Sequence, residues 1–413
     1  MVERDAACRL RLSSARRRVD AFLEQIDVLA TSSFPHLDGK AALEKIRRHC
    51  LDRRKDLDLP ADTRADLIDR LCLQLSDELA DYTDILGFIL RSTNVRNPFE
   101  LHFVLKALIQ KSLGQKADLL ISSEWAYVPF TYPMSVDLLP DFVLIGTPAP
   151  ESGNPLLTPL AGHEIGHSAW RVFGFPGRYA RLVSDAVDAE LGRNVKARKE
   201  IELQMPMGAL QSARARDECA EHALKQLEEV FCDLFGLYLF GEAYVAAFDY
   251  LLGPGGYARA LNYPSDAQRL RFLVAFAGSD ALRLTIDPAL TSHWIEGRPA
   301  QEDRPTAEIV DAVVSELVPA MRNELLGRLR ASGVRSPDAA IVRSVLEAFE
   351  RGEPYGERAE LGEIVTAGWR RLRSLEEQPG LDTVERRKRH RVLGDLVLKS
   401  VEVAEYHDRI GHA

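Results

Sequence analysis

Apolar residues recur at helical spacing along most of the chain. Val19, Phe22, Leu23, Ile26 and Leu29 mark one stripe, and Leu67, Ile68, Leu71, Leu75, Leu79 and Tyr82 mark another, so residues 5 to 115 read as helices. Asn97-Pro98 has the form of an N-cap followed by proline at the first helical position, and it opens a helix through Phe103, Leu105, Leu108 and Ile109. From Ala117 to Thr147 the pattern changes to short β-branched or aromatic runs, Leu119-Leu120-Ile121, Trp125 to Phe130 and Phe142 to Ile145, which predict a small sheet. A loop over residues 148 to 157 leads into a short helix that ends near Phe173, before Gly174, Pro176 and Gly177. Arg178 to Ala215 is charged and helical, with a break at Met205-Pro206. It reads either as a cover for a cleft or, more economically, as a solvated helical pair. Leu234 to Leu252 is the most apolar run, but Glu242 and Asp249 interrupt it, so it predicts a buried helix and not a membrane span. Gly253-Pro254-Gly255-Gly256 marks a turn. Helical spacing then returns through Ile309, Val313, Val314 and Leu317, Ile341, Val345, Leu346 and Phe349, and Leu393, Leu396, Val397 and Val401. The fold class is mainly α with a small β-sheet (α+β). It divides into an N-terminal helical region, 1 to 115, a central core, 116 to 280, with the helical insertion 178 to 215, and a C-terminal helical region, 281 to 413.

Composition narrows the picture. With 413 residues, 46% hydrophobic and 28% charged, the chain can bury a sizeable core. Its net charge of −9 excludes nucleic acid as a general partner. The basic cluster Arg386-Arg387-Lys388-Arg389-His390-Arg391 wraps all sides of a helix and reads as a solvated or protein-facing surface. The five cysteines have no CxxC spacing, which fits free thiols in a reducing cytoplasm, and residues 1 to 25 lack the apolar segment of a secretion signal. The location expected is cytoplasmic.

Chemistry concentrates in two segments. Gly162-His163-Glu164-Ile165-Gly166-His167 contains His-Glu-x-x-His. On a helix, positions four apart share a face, so His163 and His167 can hold one metal ion with Glu164 beside it as a general base. Glu228-Glu229-Val230-Phe231-Cys232-Asp233 follows on a later helix. A site with two histidines needs a third protein ligand, and Glu229 is the best candidate. Asp233, one turn on, is placed to accept a hydrogen bond from the outer nitrogen of a ligating histidine. Glu228, about 100° around the helix from Glu229, is expected to face water. His36, His49 and His102 read as surface or packing residues. His222, two turns before Glu229, can reach the cleft but reads as structural.

HEIGH followed by EVFCD resembles the gluzincin metallopeptidases, and most closely the soluble relatives of the CaaX-prenyl protease and HtpX-like branch. The resemblance covers about residues 140 to 275. It implies a zincin-like core flanked by helical regions, one zinc ion per chain on His163, His167 and Glu229, and an edge strand at Asp141 to Thr147 that pairs with extended peptide, a segment that reads equally as an ordinary core strand. The branch carries a His-Pro-x-x-x-x-Arg segment, and this chain has Tyr263-Pro264-Ser265-Asp266-Ala267-Gln268-Arg269 in that order. Tyr263 would then donate to the oxyanion that develops during hydrolysis, with Tyr257 and His293 as rival donors, and Arg269 would pair with a carboxylate near the site. Trp170 and Phe173 stand where the metzincin variant needs Gly and His, so that subclass is excluded.

The function expected is zinc-dependent hydrolysis of a peptide or protein substrate, catalysed by Glu164 with Tyr263 assisting. A zinc-containing but inactive binding or scaffold protein, a non-peptide zinc amidohydrolase, and a helical interaction protein with a chance HEIGH remain open. The helical regions offer surface for a protein partner.

Overall fold

The computed structural model describes residues 2–60, 62–93, 98–114, 116–124, 130–131, 138–205, 211–252, 259–280, 282–292, 294 and 297–411. Asn97, Trp125 to Pro129, Pro206, the Gly253 to Gly256 turn, Tyr257 and His293 lie outside them. The chain is mainly helical with a small sheet, an α+β arrangement, and divides into two compact units. Residues 1–102 and 116–153 form the first unit, and residues 103–115 and 154–413 form the second.

In the first unit, helices α1 (Val2–Ala30), α2 (Leu37–Asp56) and α3 (Ala65–Ser92) pack on one another and on strand β1 (Asp118–Glu124). In the stripe on α3 that the periodicity marks, the first member, Leu67, is exposed, and the buried face runs from Ile68 and Cys72 through Leu75, Leu79 and Tyr82 to Ile89. Strand β3 (Phe142–Pro148) runs parallel to β1 in register from Asp118 opposite Phe142 to Glu124 opposite Pro148. The short β2 (Phe130–Thr131) pairs antiparallel with Gly146 and Ile145 on the other side of β3.

The strand expected at the edge, Asp141 to Thr147, is therefore the middle strand, in the order β1-β3-β2. Its four consecutive apolar residues, Phe142 to Ile145, are all buried, which is the mark of a strand covered on both faces. Of the early histidines, His102 is buried, stacks on His36 with ring centroids 3.5 Å apart, and approaches Asp38 at 3.6 Å, so it serves packing. Asp38 in turn accepts the Leu119 backbone N–H at 3.0 Å, where β1 begins.

The second unit is built around α5 (Ala161–Val172) crossing α8 (Gln211–Phe240). The glycines of the HEIGH segment allow the crossing. A Cβ on Gly166 would sit 2.7 Å from the Cys232 Cα, and a Cβ on Gly162 would sit 2.9 Å from the Gly236 Cα. These contacts are backbone against side chain, and no rotamer change relieves them. Gly166→Ala should therefore cost about 1–3 kcal/mol or more as overpacking, read as a lowered denaturant midpoint with an unchanged slope. A midpoint at the wild-type value would mean that the helices part without loss. Around the crossing, Trp170, Phe175 and Phe231 form an aromatic core with ring centroids 4.8–5.2 Å apart.

Two expectations for this unit change. The apolar run Leu234 to Leu252 is two helices, α8 and α9 (Glu242–Leu252), because Gly241 takes a left-handed φ of 56° and turns the chain back. The segment 178 to 215 is no solvated pair. It forms α6 (Phe175–Arg193) and α7 (Val195–Gln204), divided at Asn194, whose side chain caps α7 by accepting from the Ala197 N–H. Their apolar faces, Tyr179, Val183, Val187 and Ile201, are buried against α8 and α11 (Arg304–Ala331).

The other helices include α4 (Phe99–Leu113), α10 (Asp266–Ala277), α12 (Ala339–Arg351), α13 (Leu361–Glu376) and α14 (Thr383–Gly411). From α13, Thr366 donates to the Phe240 carbonyl at 3.1 Å, and the Trp369 indole donates to the Leu156 carbonyl at 2.7 Å. The helix thus braces the end of α8 and the 3-10 turn Pro155–Leu160 ahead of α5. The C-terminal helices share a core with the HEIGH helix, and the sheet shares one with the N-terminal helices. This partition differs from the three consecutive regions drawn at residues 115 and 280. In the basic cluster on α14, Arg386 and His390 face Glu376, and Arg389 faces Glu385. Among the described residues no helix is long and apolar enough to cross a membrane, Cys50, Cys219 and Cys232 are buried free thiols, and Cys72 is buried.

Candidate metal centre

Helix α5 ends its 3-10 lead-in at Leu160 and is hydrogen-bonded through Val172, so His163 and His167 lie one turn apart on it, facing α8. Helix α8 answers with Glu228, Glu229, Cys232 and Asp233. The outer nitrogens of both rings meet carboxylates. His163 Nδ1 lies 3.0 Å from Asp233 Oδ1, and His167 Nδ1 lies 2.8 Å from Glu228 Oε1. An ionised carboxylate only accepts, so these two nitrogens carry the ring protons. The inner nitrogens turn to a third carboxylate. His163 Nε2 is 3.3 Å and His167 Nε2 is 3.8 Å from the Glu229 oxygens.

Two lone pairs facing a carboxylate require a positive charge between them. A second proton on His163 supplies one. Burial alone would lower the pKa of that ring, but hydrogen bonds to Asp233 and Glu229 raise it to about 10. A divalent cation is the other solution. Ligand bonds of about 2.0–2.2 Å in a tetrahedral set place donor atoms about 3.4 Å apart, close to the two separations observed here.

His163, His167 and Cys232 also form a triad whose potential ligand atoms lie within 4.8 Å of one another. The Cys232 thiol is fully buried. Burial first, and then the surrounding carboxylates, push its pKa well above the ordinary value. Its sulfur packs at the helix crossing, 3.1 Å from where a Cβ on Gly166 would stand. Glu229 is the opposite case. Burial disfavours its charge, but the hydrogen bond with His163 and the charges of His163 and Arg269 lower its pKa below the ordinary range.

Asp233 is held from three sides. Arg269 grips it with two bonds of 2.7 Å, the Tyr244 hydroxyl donates to it at 2.7 Å, and His163 completes the set. Burial opposes a charge on Asp233, but the guanidinium and these hydrogen bonds keep its carboxyl well below the usual carboxylate range. Arg269 reaches it because Ser265 caps α10 by accepting from the Gln268 N–H, which sets Arg269 one turn into the helix. The Arg269 guanidinium also lies over the Phe248 ring at 4.6 Å. Tyr244 reaches it because Gly236 has no side chain. A Cβ there would lie 2.6 Å from the Tyr244 ring.

Glu164 is the odd carboxylate. It is 6% exposed, and among the described residues its side chain has no hydrogen-bond partner. Burial raises its pKa, an effect that His163 and His167 only partly offset. The two neighbouring carboxylates are thus pushed apart, Glu164 up and Glu229 down. Tyr263 stands half exposed on the loop before α10. Burial first and then the charge of Glu229 raise its pKa, with Glu164 adding to it, so the phenol stays a donor at neutral pH. The loop is pinned by Arg259, which donates to the Tyr263 carbonyl at 2.9 Å, to Asp311 at 2.8 Å and to Gln226 at 3.2 Å. His222 bonds Asn262 at 2.7 Å.

Six of the expected residues lie together, His163, Glu164, His167, Glu229, Asp233 and Arg269, and Tyr263 is near enough for the charges of Glu229, Arg269 and Glu164 to act on its phenol. Glu228, expected to face water, holds His167 instead, since the groove between positions 228 and 229 of α8 faces α5. Tyr244, Arg259 and Cys232 join them without a local motif, although Gly236 three residues after Asp233 marks where a ring can lie against α8. Comparison with models of known protein families, with curated proteins and with solved structures finds no match.

Proposed function

We propose that the chain is a zinc-dependent metallopeptidase of gluzincin type. The observation that carries this reading is the convergence of two histidine Nε2 atoms on the Glu229 carboxylate, at 3.3 and 3.8 Å, beside a buried Glu164 whose side chain has no hydrogen-bond partner among the described residues. A structural site has no need of the latter. His163, His167 and Glu229 would hold the ion, and three protein ligands leave a fourth position open. A zinc ion held there would supply Lewis acidity and make water a better nucleophile near neutral pH.

The residues do the rest. Asp233 and Glu228 fix the tautomer and orientation of the two imidazoles, so that their inner nitrogens present lone pairs. Glu164 takes a proton from the attacking water and later delivers it to the leaving amine. The Tyr263 hydroxyl donates to the oxygen on which negative charge develops. Arg269 neutralises Asp233, so the orienting carboxylate adds no net charge to the site.

Metal analysis of the purified chain tests the reading, with Glu229→Ala and Cys232→Ala beside it. We expect about one zinc per wild-type chain. Glu229→Ala should lose more affinity than the roughly 10- to 100-fold typical of removing an orienting partner, and Cys232→Ala should keep the metal. The reverse order of the two variants would assign the third ligand to Cys232. A wild-type chain that takes up no added zinc would defeat the proposal.

A further inference from the structure

The two histidines are not held alike. His163 is oriented by Asp233, whose side chain is 2% exposed and which Arg269 and Tyr244 also bind. His167 is oriented by Glu228, whose side chain is 26% exposed and has no other side-chain partner among the described residues. His167 itself is the more exposed ring, at 20% against 13% for His163. One ring is thus locked into a buried, charge-neutralised network. The other hangs on a single hydrogen bond of 2.8 Å at the rim of the site.

We propose that Glu228 is the positioning residue for His167 and that its hold on that ring governs exchange of the bound metal. The inference rests on the zinc reading above. Dissociation of a chelated ion begins with the ligand that turns away most easily. The His163 ring cannot turn without breaking the Asp233 network, and Glu229 is caught between both rings and Arg269. Rotation of His167 costs one solvent-accessible hydrogen bond, which water can replace. Glu228 is adjacent in sequence to the ligand Glu229, so one turn of α8 supplies both a ligand and the brace for a different ligand.

The test is the rate at which the full-length, zinc-loaded chain releases its metal to an excess of chromogenic chelator, for wild type, Glu228→Ala and Glu228→Gln. Glu228→Ala should release zinc about 10- to 100-fold faster, the range found for loss of an orienting partner. Glu228→Gln keeps an oxygen that accepts from Nδ1 but lacks the charge, so its rate should fall between the two. The visible spectrum of the cobalt-substituted chain should shift in Glu228→Ala, while the melting temperature in chelator stays at the wild-type value. Should Glu228→Ala fail to fold, the intermediate rate of Glu228→Gln carries the test. Wild-type release rates in both variants, from a wild-type chain that does bind zinc, would overturn this inference alone. A wild-type chain that binds no zinc would overturn it together with the reading on which it rests.

Discussion

Glu164→Gln is expected to bind zinc as the wild-type chain does and to turn over peptide about 10²- to 10⁴-fold more slowly, the contribution usual for a positioned acid–base group. The substitution is nearly isosteric, and the side chain has no hydrogen-bond partner to lose among the described residues. What it removes is the ability to accept a proton. Burial, which lifts the pKa of Glu164, is a destabilising environment for a carboxylate, so Glu164→Gln should also be no less stable than wild type. The measurements are metal content, a denaturant midpoint and turnover of a cleavable peptide found by screening the wild-type chain. Undiminished turnover by Glu164→Gln would remove Glu164 from the chemistry.

Arg269→Met should lower stability by about 3–5 kcal/mol, the cost of stranding one partner of a buried ion pair. Both members are inside, Arg269 at 8% exposure and Asp233 at 2%. Asp233 would keep only the Tyr244 hydroxyl and the His163 ring. The sign of the pH dependence follows from the same pair. Because the folded carboxyl is held below its usual range, its contribution is complete above about pH 4, the unperturbed value, and is lost as pH falls toward the folded pKa. Removing Arg269 lets burial dominate, so the acid limb of the stability profile should move to higher pH. Urea unfolding across the acid range measures both effects. A loss under about 1 kcal/mol, the level of an exposed pair, would mean that water or another cation replaces the guanidinium.

Most of this site could be read before any coordinates, and for a simple reason. His163 and His167, and likewise Glu229 and Asp233, are pairs separated by one helical turn, and helical periodicity converts that spacing directly into a shared face. Arg269 was reachable through the Pro264-x-x-x-x-Arg269 spacing, which resembles the His-Pro-x-x-x-x-Arg segment. The misreadings have a common cause, which is that each depends on a neighbour that local spacing does not specify. Glu228 faces water only if α8 presents Glu229 alone, and the rotation of α8 is set by the glycine contacts at residues 162, 166 and 236. Tyr244 arrives by way of the left-handed Gly241, inside a run whose hydropathy reads as one helix. The middle position of β3 depends on Phe130 and Thr131 pairing across from β1, a register that no single strand encodes. The C-terminal helices find their core against α8, far back in sequence, which local spacing does not specify either.

The glycine-lined crossing of α5 and α8 has a consequence for how the centre responds to loss of its ion. In small zinc domains the metal is the main thing joining the elements that bind it, and chelation unfolds them. Here Gly162 and Gly166 already seat the helices in close backbone contact at Gly236 and Cys232, and an aromatic core closes around them. The donors are therefore kept in register by packing that is independent of coordination. On the proposed zinc reading, withdrawal of the ion would leave this scaffold intact, and reloading would need no refolding step.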